Sequence, residues 1–118
     1  MNKKQINFPN MAKTDWIIYI IRNRYDELYT GITTDITRRF QQHQLGKGAK
    51  ALKGKSPLLL VYQSKLANHA EALSFEYQIK QLTKAQKEQL VTDQPLYLVD
   101  YFVKLSVIRI RKELINSK

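Results

Sequence analysis

Two apolar runs that are short for helices limit what this chain can fold into. Residues 16–21 read Trp-Ile-Ile-Tyr-Ile-Ile, and residues 58–62 read Leu-Leu-Leu-Val-Tyr. Runs of this length, rich in aromatic and aliphatic side chains, suit strands covered on both faces. Between them, residues 23–27 (Asn-Arg-Tyr-Asp-Glu) form a natural hairpin loop, and residues 28–33 alternate. Leu28, Thr30 and Ile32 fall on one side of that strand; Tyr29, Gly31 and Thr33 fall on the other. Paired antiparallel and in phase, the two strands put Tyr19 and Tyr29 on one face. A slip of one residue would separate them. Gly31 on the shared face would leave open space beside Tyr19.

Helix signals follow. Thr34 is placed to cap a helix with Asp35 in its first turn, and Gly46 to end it. On that helix Ile36 and Phe40 mark the buried stripe. Arg39 and His43, four residues apart, share a face at the edge of the stripe, whereas Arg38 points to solvent. Residues 46–54, Gly-Lys-Gly-Ala-Lys-Ala-Leu-Lys-Gly, read as a mobile basic loop, with Lys55 next. Lys47, Lys50, Lys53 and Lys55 are therefore candidate phosphate contacts. The spacing is not that of a P-loop, and an ordinary solvated loop fits equally well. Asn68-His69-Ala70-Glu71 and Thr83-Lys84-Ala85-Gln86 are capping-box patterns. They open a helix running through about Lys80, which carries Glu76, and a shorter one to about Val91. His69 is read as a capping-region residue. Residues 92–95 break the pattern. Residues 96–110 are apolar with mixed period, and their length together with the charged end that follows favours a helix.

Composition bounds the partners. The 118 residues suffice for one domain with a modest core. Twenty Lys and Arg against ten Asp and Glu give a net charge of +10. That charge suits a polyanion, and equally a basic protein with no nucleic-acid role. There is no cysteine, so disulfides and thiolate metal sites are excluded. No apolar run approaches a membrane span, and no apolar segment follows Lys3 and Lys4 as a secretory signal requires. A cytoplasmic location follows by default.

The strands thus offer two phenols and the following helix a guanidinium and an imidazole, groups that phosphodiester chemistry uses. Glu76 offers the hard oxygen that a divalent cation needs. Each has an ordinary explanation as well. The tyrosines suit a β core, Arg39 a surface cation, and His43 a satisfied edge histidine. Glu76 can pair with Lys80 at i+4, and Lys80 can touch phosphate or restrain Glu76.

As an ordered set, Ile17-Ile18-Tyr19, Tyr29-Thr30-Gly31, Arg39, His43 and Glu76 resemble the GIY-YIG nuclease domain, over residues 15–91. The Leu-Tyr-Thr-Gly-Ile-Thr, Gly-Lys-Gly-Ala and Glu-Tyr-Gln-Ile-Lys-Gln-Leu stretches resemble its small bacterial single-domain branch. The resemblance implies an α/β (α+β) fold: a small three-stranded antiparallel sheet flanked by helices. It implies phosphodiester cleavage at a single divalent metal, Mg²⁺ or else Mn²⁺, held by Glu76. Tyr19 would be the base or orient the attacking water, and Tyr29 would be the second phenol. Arg39 would hold the phosphate, and His43 would assist proton transfer. Two departures stand out: Ile17 replaces the first signature glycine, and the asparagine that some members carry after the glutamate has no counterpart before Asn116.

The chain is thus read as an N-terminal arm (1–15), the domain (15–91) and a helical C-terminal extension (92–118). The expected function is a DNA endonuclease of repair or processing, with DNA favoured over RNA. The alternatives are a non-catalytic nucleic-acid-binding domain of the same fold, or an interaction protein whose C-terminal extension docks a partner or a second copy.

Overall fold

The computed structural model describes residues 15–117, so the expected N-terminal arm lies outside the described residues except for Asp15. Strand β1 (Trp16–Arg22) is central, with β2 (Leu28–Thr33) and β3 (Leu59–Leu66) on either side, both antiparallel to it. Helix α1 (Ile36–Gln44) follows β2, and α2 (His69–Lys80), α3 (Lys84–Asp93) and α4 (Leu98–Asn116) follow β3. This is the expected α/β architecture, a three-stranded antiparallel sheet with helices. No described helix is long and apolar enough to cross a membrane.

The period-2 geometry of β1 divides the core. Ile18 and Ile20 face one way and pack with Tyr62, Phe75, Ile79, Leu90 and Leu98. Tyr19 and Ile21 face the other way and pack with Leu52 and Leu58, joined by Tyr29, Ile36 and Phe40. The run at residues 16–21 is therefore covered on both sides, as its composition implies. The run at residues 58–62 is not. It starts an edge strand, and Leu59 is 59% exposed. A leucine-rich run signals apolar surroundings but not whether a second neighbour strand exists. A register shift between Ile20 and Ile21 skips Val61 in the β1–β3 pairing.

The hairpin is built on Asn23. Its side-chain oxygen accepts from the Tyr25 and Glu27 amides at 2.9 and 3.1 Å. Asp26 takes the left-handed conformation that the tight turn needs. Arg22 anchors the strand end to α3 by a two-pronged bridge to Glu88, with both N–O distances 2.7 Å.

Helix starts follow their caps with local corrections. Asp35, not Thr34, caps α1, its carboxylate accepting from the Arg38 amide at 3.1 Å. Thr34 and Asp35 are both good cap formers, and the Thr33 hydroxyl, bonded to the Asp35 amide, settles the frame. Gly46, at φ +76°, follows the end of α1 as expected. Asn68 caps α2, but Glu71 reaches back to the Ala67 amide rather than to Asn68. Thr83 and Gln86 form a complete capping box on α3. That helix runs to Asp93, two residues past the expected end, and closes with Gln94 in the left-handed region. His69 opens α2 with its ring stacked on Trp16 at 4.2 Å.

Residues 98–116 are helical because Leu98, Tyr101 and Phe102 lie at i, i+3 and i+4 and face the same core. Phe102 stacks on Phe75 with centroids 5.7 Å apart. The strand alternative at the odd positions would have placed Tyr101 and Phe102 on opposite sides.

Candidate active site

The β1–β2 register sets Tyr19 opposite Gly31 and Ile21 opposite Tyr29. The two phenols therefore share a face, with ring centroids 6.3 Å apart. The space over Gly31 is not open, as the sequence alone suggested. The Tyr19 phenol lies across it, and a Cβ at Gly31 would sit 2.5 Å from the Tyr19 hydroxyl oxygen. Glycine is needed here for close approach of a side chain to the backbone.

Helix α1 brings His43 onto that phenol. Expected at the edge of the core, His43 is instead 1% exposed and is the only buried residue of its helix. Its ring lies 5.8 Å from that of Tyr19 and 5.6 Å from that of Tyr29, edge-on to the latter. Residues 48–49 close over its other side. The helical wheel could not show this, because the covering group comes from a loop outside the helix.

Both imidazole nitrogens are engaged. Nδ1 receives the Ala49 amide N–H at 3.2 Å, and Nε2 lies 2.8 Å from the Tyr19 hydroxyl. Burial, and then the charge of Arg39, lower the His43 pKa, which favours the neutral ring. A neutral imidazole carries one N–H. If Nδ1 accepts from the backbone, the one proton of the neutral ring falls to Nε2, which would donate it to the Tyr19 oxygen. The Tyr19 O–H then remains available to another acceptor.

Burial, and then the neighbouring Tyr29, push the Tyr19 phenol up to about 12, with Arg39 pulling the other way. The resting phenol is therefore neutral at pH 7. Arg39 is half-buried one turn before His43, and its Nη1 donates to Gln42 Oε1 at 3.1 Å. Arg38 is exposed and pairs with Asp35, as its opposite direction implies.

Glu76 projects from α2, close enough for its charge to raise the Tyr19 pKa further. Its carboxylate is partly buried and lies 3.3 Å from Lys80 Nζ, so Lys80 restrains it. Among the described residues no cluster of three or more His, Asp or Glu is gathered. Any cation here would depend on Glu76 and solvent. Mg²⁺ tolerates such a donor set because it commonly keeps several waters.

The basic loop holds local structure that its glycines do not announce. Lys50–Leu52 form a 3₁₀ turn, and Leu52 is buried beside Tyr19, Ile21 and Leu58. Lys47, Lys50 and Lys53 are exposed, whereas Lys55 pairs with Glu27 at 3.0 Å. Residue typing did not single out Gly48. A Cβ there would lie 2.2 Å from His43 Nδ1. Its signal was the glycine between Lys47 and Ala49, which flexibility alone did not explain.

A sheet face carrying two phenols, crossed by a helix with a guanidinium and an imidazole, defines a GIY-YIG-type domain. Residues 15–89 match the model of the GIY-YIG catalytic domain, and the chain belongs to that family. The chain is 48% identical to a UPF0213 protein of Photorhabdus laumondii over 80% of this chain and 91% of that one. It is 55% identical to the UPF0213 protein YhbQ of Salmonella arizonae over 71% and 84%. The solution structure of a UPF0213 protein from Bacillus halodurans is 40% identical, covers 66% of this chain and 83% of that one, and superposes with a TM-score of 0.46.

Proposed function

We propose that the chain is a metal-dependent phosphodiester hydrolase acting on DNA. The observation that carries this reading is the buried Tyr19–His43 hydrogen bond, flanked by Tyr29 and Arg39. Any buried tyrosine hydroxyl needs a hydrogen-bond partner; what supports the reading is that this partner is an imidazole with a second phenol and a guanidinium beside it, groups that can stabilise charge on the phenol oxygen. In this reading the neutral Tyr19 phenol orients the attacking water, and it takes that water's proton only after its own has left to solvent under the positive charge of Arg39 and the cation. His43 holds the phenol oxygen and stabilises negative charge on it. Arg39 has guanidinium N–H groups beyond the one given to Gln42, and these clamp a phosphate. Tyr29 packs the imidazole in place and offers a second hydroxyl.

Glu76 would hold the cation, Mg²⁺ or Mn²⁺. When bound, the ion would supply positive charge to offset the negative charge developing on the phosphate, and it would polarise a water. The same positive charge favours an ionised Tyr19. The net charge of +10 suits recognition through backbone shape and charge. A role in DNA repair or processing fits that mode.

The test is a cleavage panel of single-stranded, duplex, flap and junction DNA plus RNA, with Mg²⁺, with Mn²⁺ and with chelator. Glu76→Gln, Arg39→Ala and Tyr19→Phe should each abolish cleavage, while Glu76→Gln and Tyr19→Phe still bind DNA. Cleavage that survives Glu76→Gln in rigorously purified protein would sink the reading, as would an inert wild type across the panel. A second reading, a nucleic-acid-binding domain without turnover, is favoured by one observation. Glu76 is tied to Lys80, with no metal-binding cluster gathered around it among the described residues. In that case Glu76→Gln leaves all measured properties unchanged except for about 0.2–0.5 kcal/mol of helix-pair stability.

A further inference from the structure

We infer that Gly48 and the Ala49 amide are positioning groups for the reaction, holding His43 as the Nε2–H tautomer aimed at Tyr19. The inference rests on the nuclease reading for its catalytic consequence, but the tautomer itself can be measured independently. The observations are geometric. The Ala49 N–H points at Nδ1 from 3.2 Å. Gly48 lies so close to the imidazole that any Cβ would fall 2.2 Å from Nδ1 and 2.9 Å from Cε1. The segment is pinned on both sides. Before it, the Lys47 amide bonds the Gln42 carbonyl at 2.9 Å and the Gly46 amide bonds the His43 carbonyl at 3.1 Å. After it, Leu52 is buried at the end of the 3₁₀ turn.

The consequence follows from what an imidazole can do. A neutral ring can donate from one nitrogen only, and the partner of one nitrogen dictates the state of the other. Were Nδ1 protonated, Nε2 would become an acceptor and the Tyr19 hydroxyl would have to donate to it. In that arrangement the ring would take the phenol's proton and become an imidazolium with N–H on both nitrogens, a state that the Ala49 N–H aimed at Nδ1 opposes. With the Ala49 N–H on Nδ1, the phenol oxygen receives a hydrogen bond, which strengthens as negative charge grows there. The backbone of residues 48–49 thus decides which way the Tyr19–His43 bond points. Exposed Lys47 and Lys50 flank these two residues, so the segment that orients the imidazole also presents cations to solvent.

The test reads the ring nitrogens directly. His69 is the only other histidine, exposed and stacked on Trp16, so His69→Gln leaves a single imidazole. In that background, ¹⁵N shifts should show a protonated Nε2 and an unprotonated Nδ1 for His43. Gly48→Ala should move the loop off the ring and shift the population toward the other tautomer. It should lower kcat about 10²-fold while duplex affinity stays within about twofold, a change that loss of phosphate binding would not give. Ala49→Ser, which keeps the N–H, should retain both the tautomer and the rate. A protonated Nδ1 in the wild-type ring overturns the inference without any variant having to fold. So does a Gly48→Ala protein with unchanged ¹⁵N shifts and kcat. An Nε2–H ring in a protein that cleaves no substrate of the panel would instead overturn the nuclease reading, and with it the catalytic role, while leaving the tautomer assignment standing.

Discussion

The Tyr19 hydroxyl lies 2.8 Å from His43 Nε2, and both residues are 1% exposed although 24 positions separate them in the chain. Buried polar groups need hydrogen-bond partners, and here the imidazole N–H and the phenol oxygen supply one to each other. The two halves of the pair come from different elements, the central strand and the first helix, so it also fixes how α1 sits on the sheet.

That pairing changes what Tyr19→Phe should do. If the phenol stood at an open site, losing the hydroxyl would hardly affect folding. Here the substitution leaves the His43 Nε2–H buried without an acceptor, at a cost of about 1–3 kcal/mol. Denaturant titration should show a lower midpoint with an unchanged slope. Tyr29→Phe provides the comparison. The Tyr29 hydroxyl has no His43-like partner on its oxygen among the described residues, so its loss should cost less than about 1 kcal/mol in stability. Equal costs for the two variants would argue that the Tyr19–His43 bond contributes nothing to folding.

How much of this was legible follows from which information each feature needs. The β1–β2 pair was readable because alternation and a two-sided apolar run both depend on local period. The shared face of Tyr19 and Tyr29 followed once the register was in phase. The burial of His43 was not readable, since a wheel gives a direction within a helix and says nothing of a loop that closes over it. The same limit hid the purpose of Gly48. The edge position of β3 depends on strand order, which a leucine run does not encode. Helix α4 was readable from its length, and its packing against Phe75 explains why an apolar, mixed-period stretch settles as a helix.

The lysines of the basic loop should divide. Lys47, Lys50 and Lys53 are exposed, so replacing all three by alanine should flatten the dependence of log affinity on log salt. Each phosphate that is no longer neutralised should change the slope by about 0.9. Lys55 lies against Glu27, where Asn23 also donates to the same carboxylate. Asn23 most strongly, and then Lys55, hold the Glu27 carboxyl below the usual carboxylate range. Lys55→Ala should therefore loosen the hairpin turn and leave the salt slope nearly unchanged. Fluorescence anisotropy on one duplex at several salt concentrations would separate the two groups. A slope change for Lys55→Ala as large as that for Lys50→Ala would contradict the division.

Acid should weaken the fold through Glu88. The Arg22 guanidinium, and then Lys84, hold its carboxyl down at about 2, against an ordinary 4.5. A group with a depressed folded pKa contributes stability above its unfolded pKa and loses it as the pH falls through the folded one. The Arg22–Glu88 contribution should therefore be complete above about pH 5 and fade between roughly pH 4.5 and 2. Glu88 is about a third exposed, so solvent screening keeps the effect modest, about 1 kcal/mol or less. Glu88→Gln should lower stability at pH 7 and flatten the acid limb of the stability curve. An acid limb of unchanged steepness in Glu88→Gln would mean that the bridge between β1 and α3 is not coupled to folding.

The C-terminal helix should separate into a structural half and a free half. Leu98 is buried, and Tyr101 and Phe102 pack against the core that holds Ile18, Ile20 and Ile79. The Tyr101 hydroxyl also donates to Asp93 at 2.9 Å. Further along, Val103, Val107, Ile110 and Leu114 fall at spacings of four, three and four and are each more than 40% exposed. That spacing is a stripe along one side of a helix. Ending the chain after Asp93 should uncover Phe75 and its neighbours, lower Tm and promote aggregation. Ending it after Ser106 keeps Leu98, Tyr101 and Phe102 and removes only the distal part of the stripe. That shorter chain should remain folded with Tm close to the full-length value. Any concentration-dependent self-association of the full chain through this tail should disappear. Sedimentation velocity over a range of concentrations, paired with thermal melts, reads both properties. A Tm that drops equally in the two truncations would show that the distal half stabilises the domain. A cut after Asp93 that stays monomeric and equally heat-stable would show that the helix does not support the core at all.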